Sequence, residues 1–224
     1  MSELIMLSNV RLSFPHLIEP QKDTTNDGKL RVSYNAEFIM GKDHQGLKQF
    51  MNEVSKMAAE KWKDKADNVL QMIGQDRKLR CFGEGSDKVN KKTFKIYDGY
   101  ENNMYITAGC TTYLEAESST AGAKRPQIIQ LDGSPVDSDN TMAYQQLTRK
   151  MYGGCRVNAA VRPWLQENSF GRGVRCDLVA IQFFKDDDAF GEGAPDASNL
   201  FGAVAEQPVQ QEQGGDMGLP PFMQ

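Results

Sequence analysis

Histidine is scarce in this sequence, and its cysteines are scattered. Only His16 and His44 occur among 224 residues, and the four cysteines include no C-x-x-C pair. A structural zinc site needs clustered Cys and His ligands at short spacings, so we expect no metal and no cofactor. Isolated thiols without an export signal are typical of a reduced cytoplasmic protein.

Long apolar runs and enzymatic motifs are also lacking. The N-terminal MSELIMLSNV has no basic residue ahead of its apolar residues, and no run approaches 18 apolar residues. We therefore expect neither secretion nor a membrane span. No phosphate-binding G-x-x-x-x-G-K-[ST] loop occurs, and two histidines leave a Ser or Cys nucleophile few partners. We expect no catalysis. The enzymatic alternative is a metal-dependent nuclease using the carboxylates Glu115, Glu117, Asp132, Asp137 and Asp139.

Positive charge is missing from the C-terminal end of the sequence. Residues 186–224 contain eight Asp or Glu and no Lys or Arg. Since the whole chain has a formal net charge of −4, residues 1–185 carry +4. From Gly191 onward the sequence lacks periodicity and is rich in Gly, Pro, Gln and acids, which is typical of disorder. We predict a mildly basic domain at residues 1–185 and a disordered acidic tail at residues 186–224.

The apolar periodicity predicts a mainly β domain with one helix. Over about residues 43–73 apolar side chains recur every three to four positions, which predicts an amphipathic helix with Trp62 facing the core. In the first predicted strand, residues 4–14, one face carries Leu4, Met6, Val10, Leu12 and Phe14, and Pro15 and Pro20 are expected to end it. Further strands are predicted at residues 34–40, 79–82, 93–97, 104–107, 127–131, 154–165 and 174–185. Many short strands with one helix indicate a small closed β-barrel or a sandwich.

The segment KVNKKTFKIYDGY, residues 88–100, is dense in lysine and aromatic rings. Residues 77–95 hold seven basic and two acidic residues. Strand alternation predicts that Phe94 and Ile96 face the core, so that the outer face is cationic and aromatic. Tyr105 is expected to join that face from a neighbouring strand. The candidate nucleic-acid contacts here are Lys91, Lys92, Lys95, Tyr97 and Tyr105.

A second cationic segment lies near the end of the predicted domain. In RVNAAVRPW, residues 156–164, alternation separates an apolar face from one that carries two arginines and a tryptophan. Residues 140–185 hold seven basic and two acidic residues. The candidate contacts are Arg156, Arg162, Trp164, Phe170, Arg172 and Arg175.

Cationic segments with interleaved rings suit the chemistry of unpaired nucleic acid. Positive charges neutralise phosphates, and each base that stacks on a ring contributes about 1–3 kcal/mol whatever its identity. For either segment alone, a solvated lysine-rich surface over buried rings is the simpler interpretation. Both segments together with a separate acidic tail favour single-stranded nucleic-acid binding.

Two stretches resemble a known family. NVRLSFPHLIEP, residues 9–20, and GGCRVNAAVRPWLQENSFGRGVRCDLVAIQFFKDDDAFG, residues 153–191, are similar to the single-stranded DNA-binding proteins of tailed bacteriophages. The resemblance implies an OB-fold barrel that coats single strands during phage replication and recombination in the cytoplasm of the infected bacterium. It singles out the arginines and rings of the second segment as groove residues.

The tail is interpreted as a competitor for the groove and as a partner-binding element. A tethered polyanion has an effective concentration of about millimolar order near the groove. The resemblance implies that the tail contacts replication or recombination proteins, through Asp186, Asp187, Asp188 and the apolar end at Phe222. Three alternatives to a simple coating protein stay open: a strand-annealing protein, a duplex-DNA binder, and a β-rich virion component. A homodimer is also left open.

Overall fold

The computed structural model describes residues 2–115, 122–136, 141–169 and 171–191. In chain order the elements are β1 (Ile5–Thr24), β2 (Leu30–Met40), α1 (Gln45–Trp62), α2 (Ala66–Gln75), β3 (Phe82–Glu84), β4 (Met104–Leu114), β5 (Gln127–Ile129), α3 (Thr141–Thr148), β6 (Arg156–Asn168) and β7 (Gly171–Lys185). The tail from residue 192 on, predicted to be disordered, lies outside the described residues.

The strands form one sheet that closes on itself. Its order is β3-β4-β2-β1-β6-β7-β5, and the pairs are antiparallel except β5 with β7. Strands β4 and β7, which lie towards opposite ends of this order, meet where the Cys110 thiol donates to the Leu178 carbonyl at 2.9 Å. Val174 N also donates to Leu79 O at 2.8 Å. The predicted β-barrel is confirmed.

Strand β1 is longer than predicted because it passes both prolines. Its register with β2 shifts between Ser13 and His16 and again between His16 and Gln21. Pro15 and Pro20 lie in these irregular stretches, where a missing N–H costs no ladder hydrogen bond. The expectation that the prolines end the strand is therefore wrong.

The predicted inner face of the first strand is wrong at three of its five residues. Leu4, Met6 and Phe14 are 49%, 54% and 42% exposed, whereas Ile5 and Leu7 are buried. The register with β6 shifts between Leu7 and Val10. Because side chains alternate along a strand, this shift changes which residues face the core.

The predicted helix is confirmed but interrupted. His44 caps α1 by accepting a hydrogen bond from Gly46 N at its Nδ1, at 3.1 Å. A 3-10 turn at Lys63–Lys65 separates α1 from α2. Trp62 is buried as predicted, and its Nε1 donates to Glu167 of β6 at 3.2 Å. A short helix that was not predicted, α3, precedes β6.

Residues 93–97 form a loop, so the predicted strand there is wrong. Val89 and Ile96 make an isolated bridge that closes the loop. Phe94, which was expected in the core, is 82% exposed, and Ile96 is 37% exposed. We call residues 88–97 the lysine loop.

Two thiols with raised pKa values, those of Cys110 and Cys155, make stability sensitive to alkali. Burial raises the pKa of Cys110 from 9.0 to about 11 and that of Cys155 from 9.0 to about 12. As the pH rises above about 9 the unfolded chain therefore loses thiol protons before the folded chain does. This contribution to stability is complete below pH 9 and is lost as the pH rises through about 11 to 12. We expect the free energy of unfolding in urea to fall over this window.

Cys110→Ala tests the contribution of one of these thiols. Cys110 is the suitable position because it is only half-buried. The free energy of unfolding of this variant should decline less steeply than that of the wild type as the pH rises from 9 to 11. A decline as steep as that of the wild type would show that the Cys110 thiol does not contribute.

Candidate nucleic-acid interface

A groove with a volume of about 820 Å³ crosses the outer face of the barrel. Strands β2 and β4 build its floor, because alternate residues of paired strands share one face. Four cross-strand pairs lie there: Arg31 with Tyr113, Ser33 with Thr111, Asn35 with Gly109, and Glu37 with Thr107. The β6–β7 hairpin forms one wall, where Trp164 lies directly opposite Arg175.

The groove is cationic. Its lining includes three acids, Glu37, Asp87 and Asp177, and a larger group of basic side chains: Arg31, Arg77, Arg80, Lys88 and Arg175. A concave surface lined mainly by one sign of charge concentrates ligands of the opposite sign. The groove therefore suits a polyanion.

Two of the acids hold cations in place. Asp87 pairs with Arg80 at 2.9 Å and with Arg77 at 3.1 Å. Glu37 accepts hydrogen bonds from Lys88 Nζ at 2.6 Å and from the Tyr100 hydroxyl at 2.5 Å. Burial, followed by the charge of Glu37, raises the pKa of Tyr100 well above its usual range. These contacts orient the basic side chains before any ligand arrives.

The Arg80 guanidinium includes one nitrogen that is not hydrogen-bonded within the described residues. Its Nε is buried and has no hydrogen-bond partner among the residues that the structure describes. A buried polar group without a partner is costly. This nitrogen is closed to solvent, so it is not itself a contact for a ligand in the groove.

Aromatic rings of different exposure line the same groove. Trp164 is 40% exposed, and its Nε1 donates to Asp177 Oδ1 at 2.8 Å, which holds the indole in one orientation. Tyr113 is 60% exposed. Tyr105 is nearly buried, with Lys88 Nζ 4.4 Å above its ring, and burial raises the pKa of its hydroxyl. Trp164 and Tyr113 therefore offer faces for stacking, whereas Tyr105 supports Lys88.

The predicted contacts of the second cationic segment divide between two places. Trp164 and Arg175 line the groove. Arg162 is exposed next to Trp164 on the same face of β6, and Arg172 pairs with Glu167 at 2.7 Å. Phe170 lies outside the described residues.

Arg156 lies in a different environment, where the acids after β7 fold back on the barrel. Its Nε donates to Asp187 Oδ2 at 2.6 Å, and Arg11 pairs with the same carboxylate at 3.3 Å. The backbone N–H of Asp188 and the Arg156 guanidinium lower the pKa of Asp187. Arg156 therefore already has an anionic partner.

Residues 186–191, here called the C-terminal strap, run across the barrel. Tyr152 donates to Asp186 Oδ1 at 3.1 Å and to Asp187 O at 2.8 Å, and Arg11 Nη2 donates to Asp188 O at 2.6 Å. The Arg11 guanidinium lies 4.6 Å from the centre of the Phe190 ring. Three residues predicted to belong to the tail, Asp186, Asp187 and Asp188, thus contact the domain. Phe222 lies outside the described residues.

The contacts predicted in the lysine loop surround a second, smaller cavity. Lys95 and Tyr97 line this cavity, and Lys91 and Lys92 are exposed nearby in the loop. Sequence reasoning missed most of the groove lining, including these Lys, Arg, Phe and Tyr side chains: Phe14, Arg31, Arg77, Arg80, Lys88 and Tyr113. The local excess of basic residues could have identified Arg77, Arg80 and Lys88. The alternation of apolar and polar residues, which continues from Tyr34 back to Arg31, could have identified the part of β2 that lines the groove.

Two negative findings concern only the residues that the structure describes. No three His, Cys, Asp or Glu side chains come together there as a possible metal site. None of the helices there combines the length and the apolar character of a membrane span.

The chain is similar to proteins of bacteriophages. A family model described as "Enterobacter phage Enc34, ssDNA-binding protein" matches residues 3–213. A "Putative protein p50" of Acyrthosiphon pisum secondary endosymbiont phage 1 is 30% identical over 191 residues, which cover 84% of this chain and 87% of that protein.

Solved structures show the same architecture. The single-stranded DNA-binding protein from bacteriophage Enc34 in complex with ssDNA has a TM-score of 0.58 and 25% identity, covering 84% of this chain and 89% of that chain. Another structure of that protein has a TM-score of 0.55 and 25% identity, covering 88% and 89%. This similarity confirms the predicted OB-fold-like architecture.

Proposed function

Because the chain belongs to the Enterobacter phage Enc34 ssDNA-binding protein family, we propose that its groove binds single-stranded DNA. Members of this family are binding proteins rather than enzymes, which argues against a metal-dependent nuclease. The observation that carries the proposal is the conjunction, in one groove, of preoriented cations with the exposed rings of Trp164 and Tyr113.

Binding combines two kinds of contact that do not depend on base identity. The groove arginines and Lys88 neutralise phosphates, which releases condensed counterions. Trp164 and Tyr113 stack on bases, and every base has a π-face. Arg162, Arg172 and the lysines of the lysine loop extend the positive surface beyond the groove. Recognition is therefore independent of sequence.

Arg156 does not line the groove, and it shares the Asp187 carboxylate with Arg11. Arg156 is accordingly a secondary contact in the proposed mechanism.

The acidic tail regulates access in this proposal. Its charge is opposite to that of the groove, and its tethering gives it an effective concentration of about millimolar order. DNA displaces the tail, and the exposed end around Phe222 then meets replication or recombination proteins of the phage in the cytoplasm of the infected host. The globular part extends to Gly191, because the strap contacts the barrel.

A salt series tests backbone binding. We expect the affinity for fluorescent poly-dT, measured by anisotropy, to fall linearly with log salt. The slope should be about −3.5 if each of the five groove cations neutralises one phosphate. A chain ending at Gly191 should bind more tightly than the full-length protein at low salt, because the competing polyanion is gone.

The two chains separate the two parts of the proposal. Equal affinities would contradict competition by the tail but not DNA binding. Failure of both chains to bind at low salt would contradict DNA binding itself and favour a virion component, which assembles without DNA.

A further inference from the structure

Two phenylalanines combine a left-handed backbone with exposed rings. Phe14 has a φ of 43° and is 42% exposed, and Phe94 has a φ of 56° and is 82% exposed. A positive φ is unusual for a bulky residue and is energetically costly. Exposure of an apolar ring is a second cost. Packing within the described residues leaves both rings partly exposed, so a ligand could cover them.

The second cavity is bordered by Phe14 and by the loop that carries Phe94, although Phe94 itself does not line it. This cavity has a volume of about 500 Å³ and is lined by Phe14 and by the two neighbours of Phe94, Thr93 and Lys95. Its apolar walls include Tyr97 and Phe190. The volume lies within the range of about 300–1,000 Å³ that is typical of small-ligand sites.

Phe14 connects this cavity to the groove. Its ring lines both spaces. The ring is held from behind by the edge of Tyr97, with centroids 5.1 Å apart, and by Tyr100 at 6.3 Å. A strand lying in the groove can therefore continue past Phe14 into the second cavity without leaving the surface.

Local hydrogen bonds hold Phe94 away from the core. Asn90 Oδ1 accepts from Lys92 N at 2.8 Å and from Thr93 N at 3.3 Å. Phe94 N donates to Asn90 O at 2.8 Å, and Asn90 N donates to Lys95 O at 2.8 Å. This Asn-centred turn fixes the loop tip. The exposed position of Phe94 is therefore built into the loop.

The lysines around Phe94 indicate the charge of the ligand. In the described part of the chain, Lys91, Lys92 and Lys95 make no ion pair. All three are exposed and lie within four residues of Phe94 in sequence. Rings next to unpaired cations suit a base with its phosphate better than an apolar peptide.

We propose that the second cavity is a nucleotide subsite that continues the groove. One base of the bound single strand stacks on Phe14, Phe94 covers it from the loop, and the loop lysines contact the adjoining phosphates. This inference rests on the proposed function, since the occupant is a nucleotide of the strand that lies in the groove.

The test is a length series of labelled poly-dT from about 4 to 16 nucleotides, the usual range of OB-fold footprints. Anisotropy is measured with the wild type, Phe94→Ala and the matched control Leu131→Ala. Leu131 is also largely exposed, at 76%, and lies outside the lysine loop. We expect Phe94→Ala to bind the shortest oligonucleotides normally and the longest about 5- to 150-fold more weakly than the control.

Crosslinking gives a second measurement that does not depend on affinity. Oligonucleotides with 5-iodouracil at either end are irradiated on the wild-type protein, and the labelled peptides are identified by mass spectrometry. Crosslinks from one end to Phe14 or Phe94 are expected.

The possible results distinguish the subsite from binding in the groove. Binding by Phe94→Ala that equals the control at every length, or an equal loss at every length, would overturn the subsite while leaving groove binding intact. Crosslinks confined to groove residues would do the same. Failure of the wild type to bind any oligonucleotide would overturn the proposed function itself.

Discussion

Replacing Trp164 with alanine is expected to weaken binding of poly-dT by about 1–3 kcal/mol, because one base loses its stacking surface. The indole is 40% exposed in the groove, and its hydrogen bond to Asp177 holds its orientation. Anisotropy titration at low salt measures the loss. The dependence on log salt should keep its slope, since the substitution removes no phosphate contact.

Trp164→Phe is the matched control for this prediction. It keeps an aromatic face but loses the N–H that donates to Asp177. We expect its affinity to lie between those of the wild type and Trp164→Ala. If Trp164→Ala folds normally and binds as tightly as the wild type, Trp164 does not stack on DNA.

A chain ending at Lys185 should be less stable than one ending at Gly191. The shorter chain lacks the strap, including Phe190, whose ring contacts Arg11 and lies over Gly99. Loss of this ring alone is expected to lower the free energy of unfolding by about 1–3 kcal/mol. Arg11 and Arg156 also lose the carboxylate that they share. Urea unfolding followed by circular dichroism measures the difference.

Phe190→Ala in the full-length chain separates the strap from the tail. This variant leaves every acidic residue in place. Its free energy of unfolding should fall by most of the amount that is lost in the chain ending at Lys185. The chain ending at Gly191 should unfold at the same urea concentration as the full-length protein. Equal stability of the chains ending at Lys185 and Gly191 would show that the strap contributes nothing to the fold.

Local periodicity predicted those parts of the fold whose environment is set by near neighbours. The helix around Trp62 is of this kind, and so is the apolar face of β6. Trp62 is buried, as are the three residues of that face, Val157, Ala159 and Val161. The face of β1 could not be predicted, because it depends on a distant register. Asn9, at the shift, donates from its backbone to the Asn158 side chain, 149 positions away.

The same distinction applies to the candidate site. Trp164 and Arg175 face each other across one hairpin, so their proximity could be anticipated from sequence. The pairing of Arg156 with Asp187 depends on the chain turning back over the barrel, which no local pattern indicates. Phe94 was misplaced because its segment alternates like a strand, whereas Asn90 folds it into a turn.

The double pairing of β1 has a consequence for the order of folding during synthesis. This 20-residue strand pairs with its neighbour β2 on one side and with β6 on the other. Contacts between such distant parts of a chain slow folding, and the barrel cannot close until β6 has left the ribosome. Until then one edge of β1 offers free N–H and C=O groups to other chains. Interrupted synthesis before residue 156 would therefore release an aggregation-prone product.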